Sequence, residues 1–162
     1  MSEPLAYFLT WVTYGTWLHG DERGWVNKRC NCYGADLAPP NETLLNYSQS
    51  LLKHDPVTLN HDERLTVESA IAEVCKYKGW ELLACSCRSN HVHVVVRAGD
   101  IPPKVVASQL KAYATRALKS LHSLEYQNFW AKDGSNRQIF TDEGIEKAIY
   151  YVQHQDDHTE EP

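Results

Sequence analysis

Residues Glu81–Arg97 read ELLACSCRSNHVHVVVR, and this stretch decides the fold. It contains two short apolar runs, Glu81–Cys87 and His91–Arg97, which are separated by the polar Arg88–Asn90. Two such runs with a brief polar interruption are typical of a β-hairpin. The sequence therefore predicts two antiparallel strands joined by a tight turn.

The second strand of this hairpin presents two chemically different faces. Because side chains alternate along a strand, His91 and His93 project to one face and Val92, Val94 and Val96 to the other. The valines favour a buried rib, and the two imidazoles are candidate ligands for a metal ion. A His-x-His pair is a weak signal alone, since most such histidines lie on polar faces or are hydrogen-bonded in a core. A metal site here needs a third ligand.

The N-terminal part of the chain predicts one more strand, followed by an irregular segment. Residues Tyr7–Leu18 read YFLTWVTYGTWL, an aromatic and β-branched run that favours a strand with an interruption at Gly15. From residue 19 to about residue 60, Gly, Pro, Asn and Asp replace any periodic pattern. We expect an irregular, partly ordered insertion at 19–60.

Two helices are predicted on either side of the hairpin. The first covers Asp62–Lys78 and ends at Gly79, a residue that commonly follows the last turn of a helix. The second begins at Pro102–Pro103, where a missing N–H does little harm. The residues expected to face the core are Leu65, Ala72 and Val74 in the first helix, and Val106, Leu110, Tyr113, Ala117 and Leu121 in the second.

A last helix is predicted to begin near Thr141. At about 100° per residue, its apolar stripe consists of Ile145, Ile149 and Val152. Tyr151 and Gln155 fall together on the flank of this stripe, so they can lean over a neighbouring sheet. Tyr150 and His154 fall toward solvent.

The order of these elements is strand, helix, strand, strand, helix, strand-like segment, helix. This order favours an α+β fold: a ferredoxin-like, RRM-like antiparallel sheet with helices on one face and an extra C-terminal helix that carries the tyrosine. With 162 residues, the chain is expected to form a single domain over 1–162.

Composition narrows the class of protein. A net charge of -5 argues against a broad basic surface for duplex DNA, although the tail 156–161 holds four of the acidic residues and the remaining body carries about -1. The five cysteines do not form the dense framework of a secreted domain, so reduced thiols are expected. No apolar run approaches the roughly 20 residues of a membrane span, and no leader pattern begins the chain. We expect a cytoplasmic protein.

The sequence resembles the single-tyrosine HUH transposases, which include small insertion-sequence transposases and their REP-associated relatives. The resemblance rests on Asn90–Val96 (NHVHVVV) and on Tyr151–Gln155 (YVQHQ), which is similar to the family's Tyr-x-x-x-Gln helix motif. Phe129–Trp130 and Gly134–Arg137 add to it, and it covers most of the chain outside 19–60. The combination of both motifs at this separation is specific, whereas neither motif is specific alone.

The resemblance implies a metal-dependent enzyme that cuts and rejoins single-stranded DNA at hairpin-forming element ends. It implies that His91, His93 and Gln155 bind one divalent cation and that Tyr151 is the nucleophile, which forms a 5′-phosphotyrosine. A phenol, with a pKa of about 10, is a poor nucleophile, so a Lewis-acidic metal would assist the step. Two imidazoles and an amide oxygen suit Mg²⁺ or Mn²⁺ better than a closed zinc site.

The partners that follow are single-stranded DNA and a second copy of the chain. Family members form symmetric homodimers in which the tyrosine helix of one chain can complete the other's site, and Gly134 and Gly144 are places where that helix could swing. The candidates for DNA-backbone contacts are Lys104, Lys111 and Lys119, which fall away from the apolar face of the second helix, together with Lys132 and Arg137.

Two other functions compete with this one. Cys85 and Cys87, close to the two histidines, permit a structural zinc site in an interaction protein, although buried thiols are the simpler interpretation. A non-catalytic nucleic-acid-binding module on an RRM-like sheet would instead use the histidines, Trp11, Tyr14 and Trp17 as stacking groups. Tyr151 would then be an ordinary tyrosine at the edge of the core.

Overall fold

The computed structural model describes residues 3–18, 37–122 and 128–154. Within these ranges, four strands and four helices follow one another along the chain. They are β1 (Ala6–Thr13), α1 (Glu42–Ser50), α2 (His61–Lys78), β2 (Glu81–Cys87), β3 (His91–Arg97), α3 (Pro103–His122), β4 (Trp130–Ile139) and α4 (Asp142–Gln153).

The four strands form one sheet in the order β2-β3-β1-β4, and every pair is antiparallel. The predicted hairpin is β2–β3, with Cys85 opposite Val94 and Cys87 opposite Val92. This order, with α2 and α3 as the connections, is the ferredoxin-like arrangement. The predicted α+β fold class is confirmed.

Helices cover both faces of the sheet. On one face, α2 and α3 pack over alternate residues of the two central strands, and these residues form the larger core: Tyr7, Leu9 and Trp11 from β1, and Val92, Val94 and Val96 from β3. On the other face, α4 packs over a smaller core that includes Ala6, Val95 and Ile139. The face that carries His91 and His93 is therefore the one covered by α4.

Capping residues define where two of the helices begin. Asn60 and Glu63 form a capping box at α2, each side chain accepting a hydrogen bond from the other's backbone N–H. At α4, Oγ1 of Thr141 accepts from the backbone N–H of Gly144. Gly79 ends α2 in the left-handed conformation at φ 76°, as predicted.

The apolar faces of α2 and α3 differ from those predicted. Leu65 and Ala72 are exposed, and so is Leu121 at the end of α3. The residues that are buried are Val67, Ala70, Ile71, Val74 and Cys75 in α2, and Val106, Ala107, Leu110, Ala114 and Leu118 in α3. Both stripes keep the i, i+3/i+4 spacing. Ala70, Ala107 and Ala114 are among these buried residues, in helices that pack against each other as well as against the sheet.

The first strand is shorter than predicted, and part of the expected insertion is regular. β1 ends at Thr13 rather than Leu18, because its register with β4 shifts after Trp11 and Gly15 turns the chain at φ 77°. In the segment 19–60, residues 37–60 include helix α1, and Val57 and Leu59 are buried in the larger core. Residues 19–36 lie outside the described part.

In the described part of the chain, no helix has both the length and the apolar character that crossing a membrane requires.

Candidate active site

The two histidines lie on β3, a central strand of the sheet, on the face covered by α4. Their ring centroids are 4.8 Å apart, with the planes inclined at 69°. His91 is half-buried and His93 is 6% exposed. The alternation of strand side chains thus brings the two imidazoles together, as the sequence predicted.

Helix α4 places Tyr151 beside this pair. Ile145, Ala148 and Val152 anchor the helix in the smaller core. Tyr151, on the flank of that stripe, is 50% exposed, and its ring centroid lies 5.5 Å from that of His93 at an angle of 78°. A half-exposed phenol at the edge of a buried histidine is accessible to a large substrate.

The neighbouring Tyr150 points elsewhere. It is 64% exposed, and its ring stacks on that of His154 at 4.0 Å. The backbone oxygen of Tyr150 also lies 3.0 Å from Nδ1 of His154. The geometric argument from helical spacing therefore gives the correct orientation of both tyrosines.

Each imidazole is held by the protein through the same ring nitrogen. Nδ1 of His91 donates to Oδ1 of Asn90 at 2.8 Å. Nδ1 of His93 lies 2.8 Å from Oγ1 of Thr10, which projects from β1 directly opposite His93. For His91, whose Nδ1 donates to an amide oxygen, Nε2 is therefore the nitrogen that carries the lone pair in the neutral ring.

Burial keeps His93 neutral. Desolvation, and to a lesser degree the charges of His91 and Arg88, lower the pKa of His93 to about 3. A neutral imidazole is the form that binds metals, because the protonated ring has no lone pair to give. The donor chemistry of the pair therefore fits two nitrogen ligands of one divalent ion.

A third ligand of such an ion would have to come from another type of residue or from another part of the chain. Within residues 3–18, 37–122 and 128–154, no three His, Cys, Asp or Glu side chains group closely enough to hold a metal ion. Gln155, the predicted third ligand, directly follows the last described residue and lies outside the described part. Its position next to α4 in sequence is compatible with that role.

The predicted DNA-contacting residues are divided between the two sides of the sheet. Lys104 and Lys119 are exposed on α3, which covers the face opposite the histidines. Lys111, also on α3, donates from Nζ to the backbone oxygen of Ala131 at 3.2 Å. The sheet separates these three lysines from Tyr151, so the structure does not bring them to the site.

Strand β4 carries the other two basic candidates. Arg137 lies opposite Phe8 in the β1–β4 pairing, and it is therefore on the histidine face. Lys132 is exposed nearer the start of the strand. Of the five basic residues, Arg137 is the one whose register places it beside the site.

Two site residues were missed by the sequence analysis. The ring of Phe8 lies 5.5 Å from that of His93 and 5.8 Å from that of Tyr151, so it contacts both. Thr10 is the second. The alternation in β1 already sets Phe8 and Thr10 on the face opposite Tyr7 and Leu9. Connecting them with His93 required the register between β1 and β3, which local pattern does not provide.

The zinc interpretation of the cysteines is wrong. Cys85 and Cys87 lie opposite Val94 and Val92, so their side chains share the valine face of the hairpin. His91 and His93 project from the other face. Burial raises the pKa of Cys87 to about 12, which keeps its thiol protonated. Cys87 is a buried thiol of the larger core, and Cys85 is a half-buried thiol packed against it.

The stacking role considered for Trp11 is also wrong. Trp11 is 2% exposed and packs edge-on against Trp130 in the core. Tyr14 stacks on His54 at 4.0 Å, and its hydroxyl accepts from the backbone N–H of Lys53. Of the three aromatic residues considered, Trp17 is the most exposed. The described sheet thus lacks the row of exposed aromatics that an RRM-like surface needs.

Comparison with known proteins gives one consistent family. Residues 52–155, well over half of the chain, match the family described as "Transposase IS200 like". The chain is 26% identical over 95 residues to the transposase for insertion sequence element IS200 of Salmonella typhimurium, and equally to that of Salmonella typhi. The match covers 58% of this chain and 52% of either relative, so the chain spans about half the length of these curated relatives.

Two solved structures are similar in general architecture. One is a protein of Deinococcus radiodurans assigned as a transposase, at a TM-score of 0.48 and 14% identity, covering 96% of this chain and 93% of that one. The other is a REP-associated tyrosine transposase bound to a REP hairpin, at a TM-score of 0.47 and 12% identity, covering 94% and 67%. At such low similarity, neither structure assigns a role to a residue of this chain.

Proposed function

Since the chain belongs to the family of IS200-like transposases, we propose that it is a metal-dependent endonuclease and strand transferase for single-stranded DNA, with Tyr151 as its nucleophile. The resemblance inferred from the two sequence motifs is confirmed at the level of the family. The observation that carries the proposal is the placement of a half-exposed Tyr151 against the buried His93, with ring centroids 5.5 Å apart.

The covalent step exchanges one phosphoester for another. The phenolic oxygen of Tyr151 bonds to the phosphorus while the bond from phosphorus to the 3′ oxygen breaks. The phenol loses its proton to solvent, and the departing 3′ oxygen gains one. The products are a 5′-phosphotyrosine and a free 3′-hydroxyl, so the bond energy is retained for joining to another 3′-hydroxyl. No oxidant or reductant takes part.

His91, His93 and Gln155 are the residues that would hold a Mg²⁺ or Mn²⁺ ion. When bound, the ion would neutralise charge on the non-bridging phosphate oxygens and orient the phosphate. The chain's own residues prepare the site: His93 is neutral and buried, and Asn90 and Thr10 occupy Nδ1 of the two rings. A neutral imidazole already has a lone pair to donate, so a metal ion can bind it without first displacing a proton.

Single-stranded DNA is the substrate that fits an open site of this kind. Tyr151 lies on the surface, and the guanidinium of Arg137, on the same face of the sheet, is suited to bidentate contact with a phosphate. Lys132 would add contacts with the DNA backbone along β4. Lys104, Lys111 and Lys119 would contact DNA only where the strand passes the face of the sheet opposite the histidines. Membership of the family implies that the DNA substrate is the hairpin-forming end of a mobile element.

We further propose a symmetric homodimer that assembles two such sites. In this chain, α4 begins only two residues after β4 and is buried against its own sheet. Gly134 lies within β4 opposite Trp11, where an added Cβ would collide with the backbone oxygen of Thr10, so it serves strand pairing rather than a hinge. These contacts favour sites built from residues of one chain. Sedimentation at high concentration tests the dimer.

The nucleophile is tested with two matched variants, Tyr151→Phe and Tyr150→Phe. Each removes one hydroxyl and keeps its ring, so folding should persist in both. With end-labelled hairpin-bearing single-stranded DNA and Mn²⁺, the parent and Tyr150→Phe should form a protein-DNA adduct on a denaturing gel. Tyr151→Phe should lower adduct formation by several orders of magnitude. An adduct with Tyr151→Phe and none with Tyr150→Phe would reverse the assignment. No adduct with the parent on suitable DNA would favour a binding module.

A further inference from the structure

The hydroxyl of Thr10 is the feature of the site that neither the family motifs nor the sequence pattern assigns. Thr10 and His93 are directly opposed residues of neighbouring antiparallel strands, so their side chains share one face at close range. Oγ1 of Thr10 lies 2.8 Å from Nδ1 of His93, an ordinary hydrogen-bond distance. From this contact we infer that Thr10 is a positioning residue, which fixes the tautomer and ring orientation of His93 so that Nε2 is the ligating nitrogen.

The second histidine shows which tautomer the site uses. Oδ1 of Asn90 only accepts hydrogen bonds, so Nδ1 of His91 carries the proton and Nε2 the lone pair. A single ion between the two rings needs the corresponding nitrogen of His93. A threonine hydroxyl accepts from Nδ1–H in that tautomer, which makes the two rings equivalent in protonation.

Burial gives this one hydrogen bond its importance. His93 is 6% exposed, with Phe8 and Tyr151 edge-on to its ring. Water has little access to replace a lost partner of Nδ1, and a buried N–H without a hydrogen-bond partner is destabilising. Without the hydroxyl, the proton of the His93 ring should move to Nε2, or the ring should rotate. Either change prevents Nε2 from acting as the metal ligand.

The inference rests on the proposed function for its consequence in metal binding, but the tautomer is measured in the metal-free protein. Three variants are compared with the parent. Thr10→Val keeps the shape and branching of the side chain and deletes the hydroxyl. Thr10→Ser restores a hydroxyl. Ser135→Ala is the matched control, because Ser135 is the residue of β4 opposite Thr10 on the same face of the sheet.

Nitrogen-15 NMR of the imidazole groups identifies the protonated nitrogen of His93. The parent, Thr10→Ser and Ser135→Ala should hold the proton on Nδ1, and Thr10→Val should populate the Nε2–H tautomer. Calorimetry with Mn²⁺ should show about 10- to 100-fold weaker binding for Thr10→Val, the usual cost of losing an outer hydrogen-bond partner of a metal-binding histidine. Thr10→Ser should recover most of the affinity.

These measurements distinguish a failure of the role of Thr10 from a failure of the proposed metal site. An unchanged His93 tautomer in Thr10→Val, or equal Mn²⁺ affinity for Thr10→Val and the parent, overturns the role of Thr10. A parent protein with the proton on Nδ1 that binds no Mn²⁺ overturns the proposed metal site instead. In that case a tautomer shift in Thr10→Val still supports Thr10 as the residue that sets the protonation of His93.

Discussion

The ring of Phe8 lies 5.8 Å from the ring of Tyr151, with the two planes tilted by 55°. Phe8 also meets His93 edge-on at 5.5 Å, so one side chain of β1 contacts both the proposed nucleophile and a proposed ligand. The ring of Tyr151 also lies 5.5 Å from that of His93, so the three rings form one cluster. We therefore expect Phe8 to help set the distance between the phenol and the histidine.

Replacing Phe8 by Leu should lower the rate of covalent adduct formation. It should have only a small effect on the free energy of unfolding. Aromatic pairs contribute about 0.5–1.5 kcal/mol beyond area burial, and a misplaced nucleophile can cost about 100-fold in rate. We expect about a ten-fold or larger loss in the rate of adduct formation at saturating DNA, measured on denaturing gels. Phe140→Leu, at an exposed phenylalanine next to β4, is the control. Equal rates for the two variants would remove Phe8 from the site.

The core cysteines should be unreactive in the folded protein. Burial raises the pKa of Cys75 to about 11 and, with the charge of Glu68 added, that of Cys87 to about 12; the pKa of Cys85 is raised further for the same reasons. Thiolates are the reactive form, so a disulfide reagent at pH 8 should label these thiols only after unfolding. The test uses a Cys30→Ser, Cys32→Ser background. Fast labelling of the folded variant would contradict the burial.

The same shifts predict a loss of stability at alkaline pH. A thiol whose folded pKa is raised keeps its proton where the unfolded thiol, with a pKa of about 8.5, has lost it. The stabilising contribution is complete below about pH 8 and falls as the pH rises toward the folded values. The free energy of unfolding, measured with urea, should therefore be lower at pH 10 than at pH 8. In a Cys85→Ala, Cys87→Ala variant this decrease should be smaller, and an identical decrease would assign it to other groups.

The parts of the fold and of the site that the sequence predicts well depend on the pattern of residues that are close together in the chain. The β2–β3 hairpin, the shared face of His91 and His93, and the orientation of Tyr151 and Tyr150 all follow from strand alternation or helical spacing. Each involves residues within one element or one tight turn.

The parts that sequence did not predict depend on distant pairing. Thr10 and Phe8 join the site only through the register of β1 with β3, across more than 80 residues of chain. Val57 and Leu59 are buried because the backbone of this segment bonds to Tyr14 and Ser89, an arrangement with no local signature. The opposite placement of α3 and α4 separates the three lysines of α3 from Tyr151 for the same reason.

Mn²⁺ binding should require both histidines. Calorimetry of the parent should give about one ion per chain, as expected for a single mononuclear site. The His91→Ala, His93→Ala double variant should lose affinity by more than about 100-fold, beyond the usual cost of losing an outer hydrogen-bond partner. Gln155→Ala should weaken binding to a lesser degree, because one neutral amide oxygen is removed. His61→Ala, at the exposed start of α2, is the control. Equal binding by the double variant would exclude this site.

Each active site should use Tyr151 and the histidines of the same chain. Helix α4 is joined to β4 by only Phe140 and Thr141, and its side chains Ile145, Ala148 and Val152 are buried against their own sheet. Crossing to a partner would require α4 to leave this surface, and a connection of two residues gives the helix little reach. We therefore expect that a Tyr151→Phe chain and a His91→Ala, His93→Ala chain cannot complement each other.

Complementation is tested on mixed dimers, purified through two different tags after co-expression. In a mixed dimer with exchanged helices, one site would combine intact histidines from the Tyr151→Phe chain with the intact Tyr151 of the other. The covalent adduct would then appear on the chain that lacks His91 and His93. With sites built in one chain, neither site of the mixed dimer is complete, and no adduct should form on either chain. A parent dimer carrying the same two tags must form the adduct under the same conditions. An adduct on the histidine-deficient chain of the mixed dimer would show that α4 crosses between chains.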